Sequence, residues 1–308
     1  MKNSTTPTTT APVPAVVEGP APPPPAETAA PPVARAKRSR TILVKLAIGW
    51  LAVVVLLAVF ADLLPIPGYD VRIGRPAMGP SWDLASLLGT DGLGRSTLSR
   101  LIYGARVSLA VGVVSVLIGM VIGGVLGLLA GYLRGGFEKV VTILTDSLLA
   151  YPPLVLLLAI TSTLGSSLRS LVISLGLLCV PTFTRLARAN TLAFAQREFV
   201  TASRALGGRP LRIIFREILP NVVLPVASYA FVMAAVVIVA EGSLSFLGLG
   251  IPPPSPSWGG MISAAKDRLA TQPHLVFIPA AAMFLTIFAL NVVGDRARTR
   301  FDVRESAL

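Results

Sequence analysis

The sequence predicts an all-α integral membrane protein with six transmembrane helices and both termini on the cytoplasmic side. Three observations carry that expectation. Hydrophobic residues make up 53% of the chain and charged residues only 14%, and mean hydropathy is +0.74, outside the range of a soluble domain. The apolar residues gather into runs near the roughly 20 residues that one bilayer crossing needs. The net charge of +12 sits mostly beside those runs, as membrane topology requires. No basic surface interleaved with aromatics appears, so nucleic acid is excluded as a partner and the lipid bilayer is the medium.

Residues 1 to about 34 are Thr, Pro and Ala with almost no charge, including four prolines at 22–25. With the basic cluster Arg35, Lys37, Arg38 and Arg40 they read as a disordered, partly polyproline cytoplasmic tail over residues 1–40. The first transmembrane helix is expected over 41–62. Its apolar run, 42–61, holds thirteen Leu, Ile, Val and Phe residues, each worth roughly −0.3 to −0.6 kcal/mol on insertion. They outweigh Lys45, which can snorkel. The run is too long, and the tail before it too extended, for a cleaved signal peptide.

Residues 63–105 form a polar external segment. Within it GTDGLGRS, 89–96, nearly spells a phosphate-binding loop, with Arg95 where lysine is required. Such a loop follows a buried strand and opens a helix of a soluble α/β domain. No strand precedes it here, and the nucleotide reading is rejected. Arg72, Arg75, Arg95 and Arg100 on the outer side stand in tension with the positive-inside rule.

Further spans are expected over about 107–132, 140–161, 168–186, 222–239 and 275–293, together a transmembrane domain over 106–295, with a cytoplasmic tail over 296–308. Gly119 and Gly123 have the spacing that allows close helix packing. The prolines at 252–254 and 256 cannot continue a helix, so the segment after the fifth span is expected to be re-entrant or extended. The single cysteine, Cys179, and single histidine, His274, give no disulfide framework, metal site or catalytic triad. No cofactor is expected.

Two carboxylates near the spans are candidates for the wall of a substrate pathway. Asp146 lies inside the third span, where a charge at the helix centre costs roughly 2.5–3.5 kcal/mol, five residues before an interruption at Tyr151, Pro152 and Pro153. Its other reading is an acid near the cytoplasmic end paired with an arginine. Glu241, at the outer end of the fifth span, either meets cargo or marks the interface. Thr161, Ser162 and Thr163 read as helix-end residues.

The loop over 196–220 is basic, amphipathic and broken once. Phe199, Ala202 and Leu206 share one helical face, and Leu211, Ile214, Phe215 and Ile218 repeat the pattern, with Arg209, Arg212 and Arg216 on another. Gly207 and Gly208 can end a helix through positive φ, and Pro210 is preset to open the next. A helical hairpin between two spans suits docking by something outside the membrane. Pattern alone leaves a merely solvated basic loop equally open.

This loop resembles the EAA loop of permease subunits in binding-protein-dependent ABC importers. Thr201, Ala202 and Ser203 stand in place of the Glu-Ala-Ala triplet, followed by Gly207 and by Leu219-Pro220. The run LLGTDGLGRSTLSRLIYGARVSL, the run SLSFLGLGIPPPSPSWGGMI and NVVGD at 291–295 are similar to the C-type permeases of the dipeptide, oligopeptide and nickel importer family. The likeness extends over about 87–304. It implies the type I importer permease fold and no ATP hydrolysis on this chain. The implied partners are a homologous second permease, two ATP-binding cassette subunits and an extracytoplasmic substrate-binding protein. It also implies that Thr201, Ala202, Ser203, Ala205, Leu206, Gly207, Leu219 and Pro220 couple to the ATPase. Peptides are the commonest cargo in that family; nickel chelates and other small solutes are alternatives. A secondary transporter would need ionisable residues in mid-span and repeat symmetry, and the sequence displays neither. A membrane scaffold would need a folded soluble domain.

Overall fold

The computed structural model describes the backbone of residues 33–305 and the side chains of 41–299. The chain divides into two units, Met1–Ser39 and Arg40–Leu308. Of the first, only helical backbone over 33–39 is described; the expected disordered tail otherwise lies outside the described residues. The helices are α1 (Val33–Val59), α2 (Thr97–Leu133), α3 (Gly135–Ala150), α4 (Pro153–Leu164), α5 (Leu168–Phe194), α6 (Glu198–Ala205), α7 (Pro210–Ile213), α8 (Leu219–Phe246), α9 (Trp258–Ala265) and α10 (His274–Glu305). Among the described residues five helical stretches are long and apolar enough to cross a membrane, and six if the bent pair α3 and α4 counts as one.

The second unit is built on the contact between α2 and α5. At 37 residues, α2 is about 55 Å long at 1.5 Å per residue, far longer than the bilayer core. Along one face it carries Gly119, Gly123, Gly127 and Gly131, one every four residues. A Cβ on Gly127 would lie 2.3 Å from the carbonyl oxygen of Thr184, and one on Gly123 would lie 2.5 Å from that of Val180. The two backbones therefore touch, which is the expected consequence of small residues at that spacing. The opposite face of α2 exposes Val113, Leu117, Val121 and Val125, an apolar surface suited to lipid. Helix α8 closes the core with Val226, Ala234, Ile238 and Leu244.

Several boundaries differ from those the hydropathy predicts. Helix α2 starts at Thr97 rather than near 107, because Ser96 caps it by accepting from the Ser99 amide and because the early arginines find partners. Arg106 donates to the carbonyls of Ala58 and Val59 and pairs with Asp62 at 2.9 Å. The hydrogen bonds from Arg106 and from Tyr103 hold the Asp62 carboxyl below its usual range. The third expected span is two helices meeting at 92° across Tyr151 and Pro152, since the residue before a proline is pushed out of helical geometry and two prolines follow in succession. The fifth span reaches Phe246 and so takes Glu241 inside the helix.

The segment before α2 is an ordered turn around one carboxylate. Asp91 accepts from the amides of Leu93 and Arg95, both at 2.9 Å. It also pairs with Arg95 at 2.7 Å and with Arg100 at 3.3 Å. Arg100 further donates to the carbonyls of Tyr69 and Pro254. The stretch that spells a phosphate loop thus has two of its amides turned onto its own aspartate. Arg95 and Arg100, two of the arginines expected on the outer side, are held by this turn.

Glu241 is the hub of the same end of the molecule. It is wholly buried, and three serines on three elements surround it. Ser245 of α8 and Ser257, the N-cap of α9, donate to Oε1 at 2.8 and 2.7 Å. Ser108 of α2 lies 3.5 Å from Oε2 and accepts from the Trp258 amide at 3.1 Å. Ser257 meanwhile accepts from the Gly260 amide. Where α8 and α9 cross, a Cβ on Gly259 would stand 2.5 Å from the Gly242 Cα. The proline-rich segment is therefore extended and then helical, and α9 is fastened to α8 and α2 through one carboxylate.

Two substitutions test these contacts. Gly127→Leu forces the α2–α5 seam apart and is expected to cost roughly 1–3 kcal/mol, the usual range for overpacking, read as a lowered unfolding midpoint in detergent. Gly124→Leu is its control, since a Cβ there meets nothing within 4 Å, and equal midpoints for the two variants would contradict the seam. Glu241→Leu strands the serine hydroxyls at roughly 1–3 kcal/mol each, while Glu241→Gln keeps the Oε1 acceptor and most of the stability. Maleimide reactivity of a Met261→Cys probe on the buried face of α9 should rise in the Leu variant only.

Candidate functional site

At the C-terminal end of α2, opposite the Asp91 turn, the chain leaves α5 and builds a short hairpin. Helix α6 ends in a Schellman turn: the Gly208 amide donates to the Ser203 carbonyl and the Gly207 amide to that of Arg204, both at 3.0 Å. This closure requires a left-handed residue, and Gly207 supplies it at φ +80°. Pro210 then opens α7, which runs through a π-helical turn over Ile214–Ile218 into α8. The second arm of the hairpin is therefore the beginning of the next span and not a separate helix.

The hairpin is fixed to the bundle by Val200, Ile213, Ile214 and Ile218, all buried. Its other apolar residues point away from the chain: Leu206 is 88% exposed, Leu211 67% and Phe215 63%. The apolar set read from periodicity thus divides, with Ile214 and Ile218 inward and Leu211 and Phe215 outward. Three large exposed apolar side chains along the hairpin, among arginines, form a surface suited to a soluble partner.

The other sequence candidates are placed as follows. Thr201, Ala202 and Ala205 are exposed on α6, and Ser203 is half-buried. The Thr201 hydroxyl donates back to the Arg197 carbonyl at 3.3 Å. Leu219 and Pro220 belong to the first turn of α8, where Leu219 packs on the core and Pro220 is exposed. Asp146 lies on α3 and pairs with Arg185 of α5 at 2.6 Å, both half exposed. A second tie between the same helices joins Glu138 and Arg188. Glu241, read from sequence as a pathway candidate, reaches no surface of the chain; the serine cage encloses it, and its role here is to hold α9. Thr161, Ser162 and Thr163 turn their hydroxyls back onto carbonyls of α4.

One feature of this end escapes the sequence. Tyr132, Arg134, Ala195, Gln196, Thr201 and Arg204 line an open cleft of about 590 Å³. They come from the end of α2, the junction before α3, the end of α5 and α6. The Arg204 guanidinium lies 5.2 Å from the centre of the Tyr132 ring. Arg134 and Arg204 lie 70 positions apart and share this cleft only because α6 folds back beside the end of α2.

Residues 123–306 match the family described as binding-protein-dependent transport system inner membrane component. The chain is 40% identical over 224 residues to the glutathione transport system permease protein GsiD of Pectobacterium atrosepticum, covering 73% of this chain and 74% of that one. It is also 40% identical to GsiD of Escherichia coli, covering 73% of each. Among solved structures it is similar to an inward-facing MetNI methionine ABC transporter, with TM-score 0.55, 20% identity, and coverage of 66% of this chain and 96% of that chain. A second crystal form of MetNI matches with TM-score 0.55 at 18% identity. At that identity the likeness shows the fold, that of a type I importer permease. The chain belongs to the binding-protein-dependent transport system inner membrane component family and is a permease subunit of an ABC importer.

Proposed function

We propose that this subunit forms one side of an import pathway for short peptides, glutathione-like tripeptides among them, and that its hairpin over 196–220 is the seat of an ATPase subunit. The observation that carries the coupling assignment is the exposure of Leu206, Leu211 and Phe215 along a hairpin anchored to the bundle by buried residues. A protruding apolar turn needs a partner in water, and the two arms connect it directly to α5 and α8. Movement of a docked ATPase then reaches two spans without passing through a flexible linker.

On this reading the hairpin end is cytoplasmic, the Asp91 turn and α9 are extracytoplasmic, and both termini are inside. A homologous permease completes the pathway, two ATP-binding subunits hydrolyse ATP, and a separate binding protein delivers cargo from outside. The relatives named for glutathione transport support a peptide-like cargo. ATP-dependent uptake of labelled glutathione and of dipeptides by the reconstituted complex tests the substrate class, and uptake of neither would set that class aside.

The coupling assignment makes a sharp expectation for Gly207→Trp. A Cβ at Gly207 meets nothing within 4 Å, so the side chain leaves the backbone into open space, and its positive φ costs roughly 1 kcal/mol. The bundle should therefore insert and pair with the second permease. The indole at the tip should weaken ATPase binding and uptake roughly tenfold or more, as disruption of an interface centre does. Disulfide trapping from Ala205→Cys or Leu206→Cys to the ATPase should succeed in the parent and fail in the Trp variant. Labelling of these cysteines from outside sealed cells, with no trapping to the ATPase, would contradict the assignment.

A further inference from the structure

The cleft beside the hairpin has a chemistry that the exposed apolar tip does not account for. Two arginines, Arg134 and Arg204, are among its lining residues, and none of those residues is acidic. Among the described residues neither arginine is in an ion pair; the α3 carboxylates Glu138 and Asp146 are taken by Arg188 and Arg185 of α5. Arg204 is held in place by the Tyr132 ring beneath it, which leaves the edge of its guanidinium free. Thr201 and Gln196 add further polar groups around the opening.

The backbone at Arg134 adds a second, independent observation. This residue sits at φ +54° and ψ −169°, a region that L-residues occupy at a cost of order 1–3 kcal/mol. Glycine would relieve that strain, and the strained position nonetheless presents an arginine at the cleft. Strain of this kind persists only where the surrounding structure holds it, and here the ends of α2 and α3 hold Arg134 at the cleft.

We propose that this cleft receives a carboxylate side chain of the ATPase subunit, bound between Arg134 and Arg204. The inference rests on the reading that the hairpin docks an ATPase. Continuity favours that occupant: Thr201 and Arg204 line the cleft from α6, which is itself the first arm of the hairpin. Charge complementarity favours a carboxylate, because paired guanidiniums bind its two oxygens with directed hydrogen bonds. The contact would fix the register of a docking surface that apolar residues alone leave free to slide.

The test uses the full complex in nanodiscs, with Arg134→Gln, Arg204→Gln, the double variant, and Arg169→Gln at the start of α5 as a control remote from the hairpin. Each single variant should weaken ATPase retention roughly tenfold, the double variant should flatten the salt dependence of retention, and the second permease should stay bound throughout. Arg204→Glu should lose the ATPase and regain it when one Asp or Glu of the ATPase surface is changed to Lys. Unchanged retention in the Gln variants, with Gly207→Trp still disruptive, overturns the cleft proposal and leaves the docking reading standing. Unchanged retention in both sets overturns the docking reading itself. An effect present in nanodiscs containing phosphatidylglycerol and absent in pure phosphatidylcholine assigns the cleft to a lipid headgroup and overturns the proposal.

Discussion

The contact of two backbones along α2 and α5 is the constraint on which the rest of the second unit depends. In a bilayer apolar burial gives helices little reason to associate, so close packing and the contacts it permits must supply the attraction. Four glycines at four-residue intervals let α2 approach α5 until a carbonyl of one helix lies where a side chain of the other would stand. The Glu241 hub and the hairpin hang from the two ends of this seam. At one end α2 offers Ser108 to the Glu241 hub; at the other it delivers Tyr132 and Arg134 to the cleft, and α5 delivers the hairpin.

The two ends are built on opposite principles. At the Glu241 end the polar groups are used internally: a buried carboxylate takes hydroxyls from α8, α9 and the neighbourhood of α2, and Asp91 takes two arginines and two amides. Such a satisfied polar cluster makes that end rigid. At the hairpin end groups are left open, with Leu206, Leu211 and Phe215 exposed and Arg134 and Arg204 outside any ion pair among the described residues. Rigid spans joined to an incomplete surface are what a subunit needs if motion applied at its hairpin is to reach the membrane.

Much of this was legible in the sequence because membrane physics is severe. Apolar runs of bilayer length, glycines at helical spacing and a Gly-Gly-x-Pro break admit few alternatives, and the spans, the seam and the hairpin follow from them. Boundaries were misjudged where charged residues lie within helices. Arg100 and Arg106 argue against an early start for α2 until Asp91, Asp62 and the carbonyls of Ala58 and Val59 are seen to receive them, and those partners come from distant segments. Glu241 was misplaced for the same reason, since three serines separated by up to 149 positions satisfy it only after folding. The cleft was invisible because its residues belong to four elements and none has an unusual local pattern.

The central claim is that this chain is a permease that works only as part of an ATP-driven assembly. It is tested most directly by the mass of the complex released intact from mild detergent with a tag on this chain. The account predicts one copy of this chain, one of a homologous permease and two ATP-binding subunits. Recovery of the chain alone, with cargo moved by an ion gradient in vesicles that contain no ATPase, would contradict it.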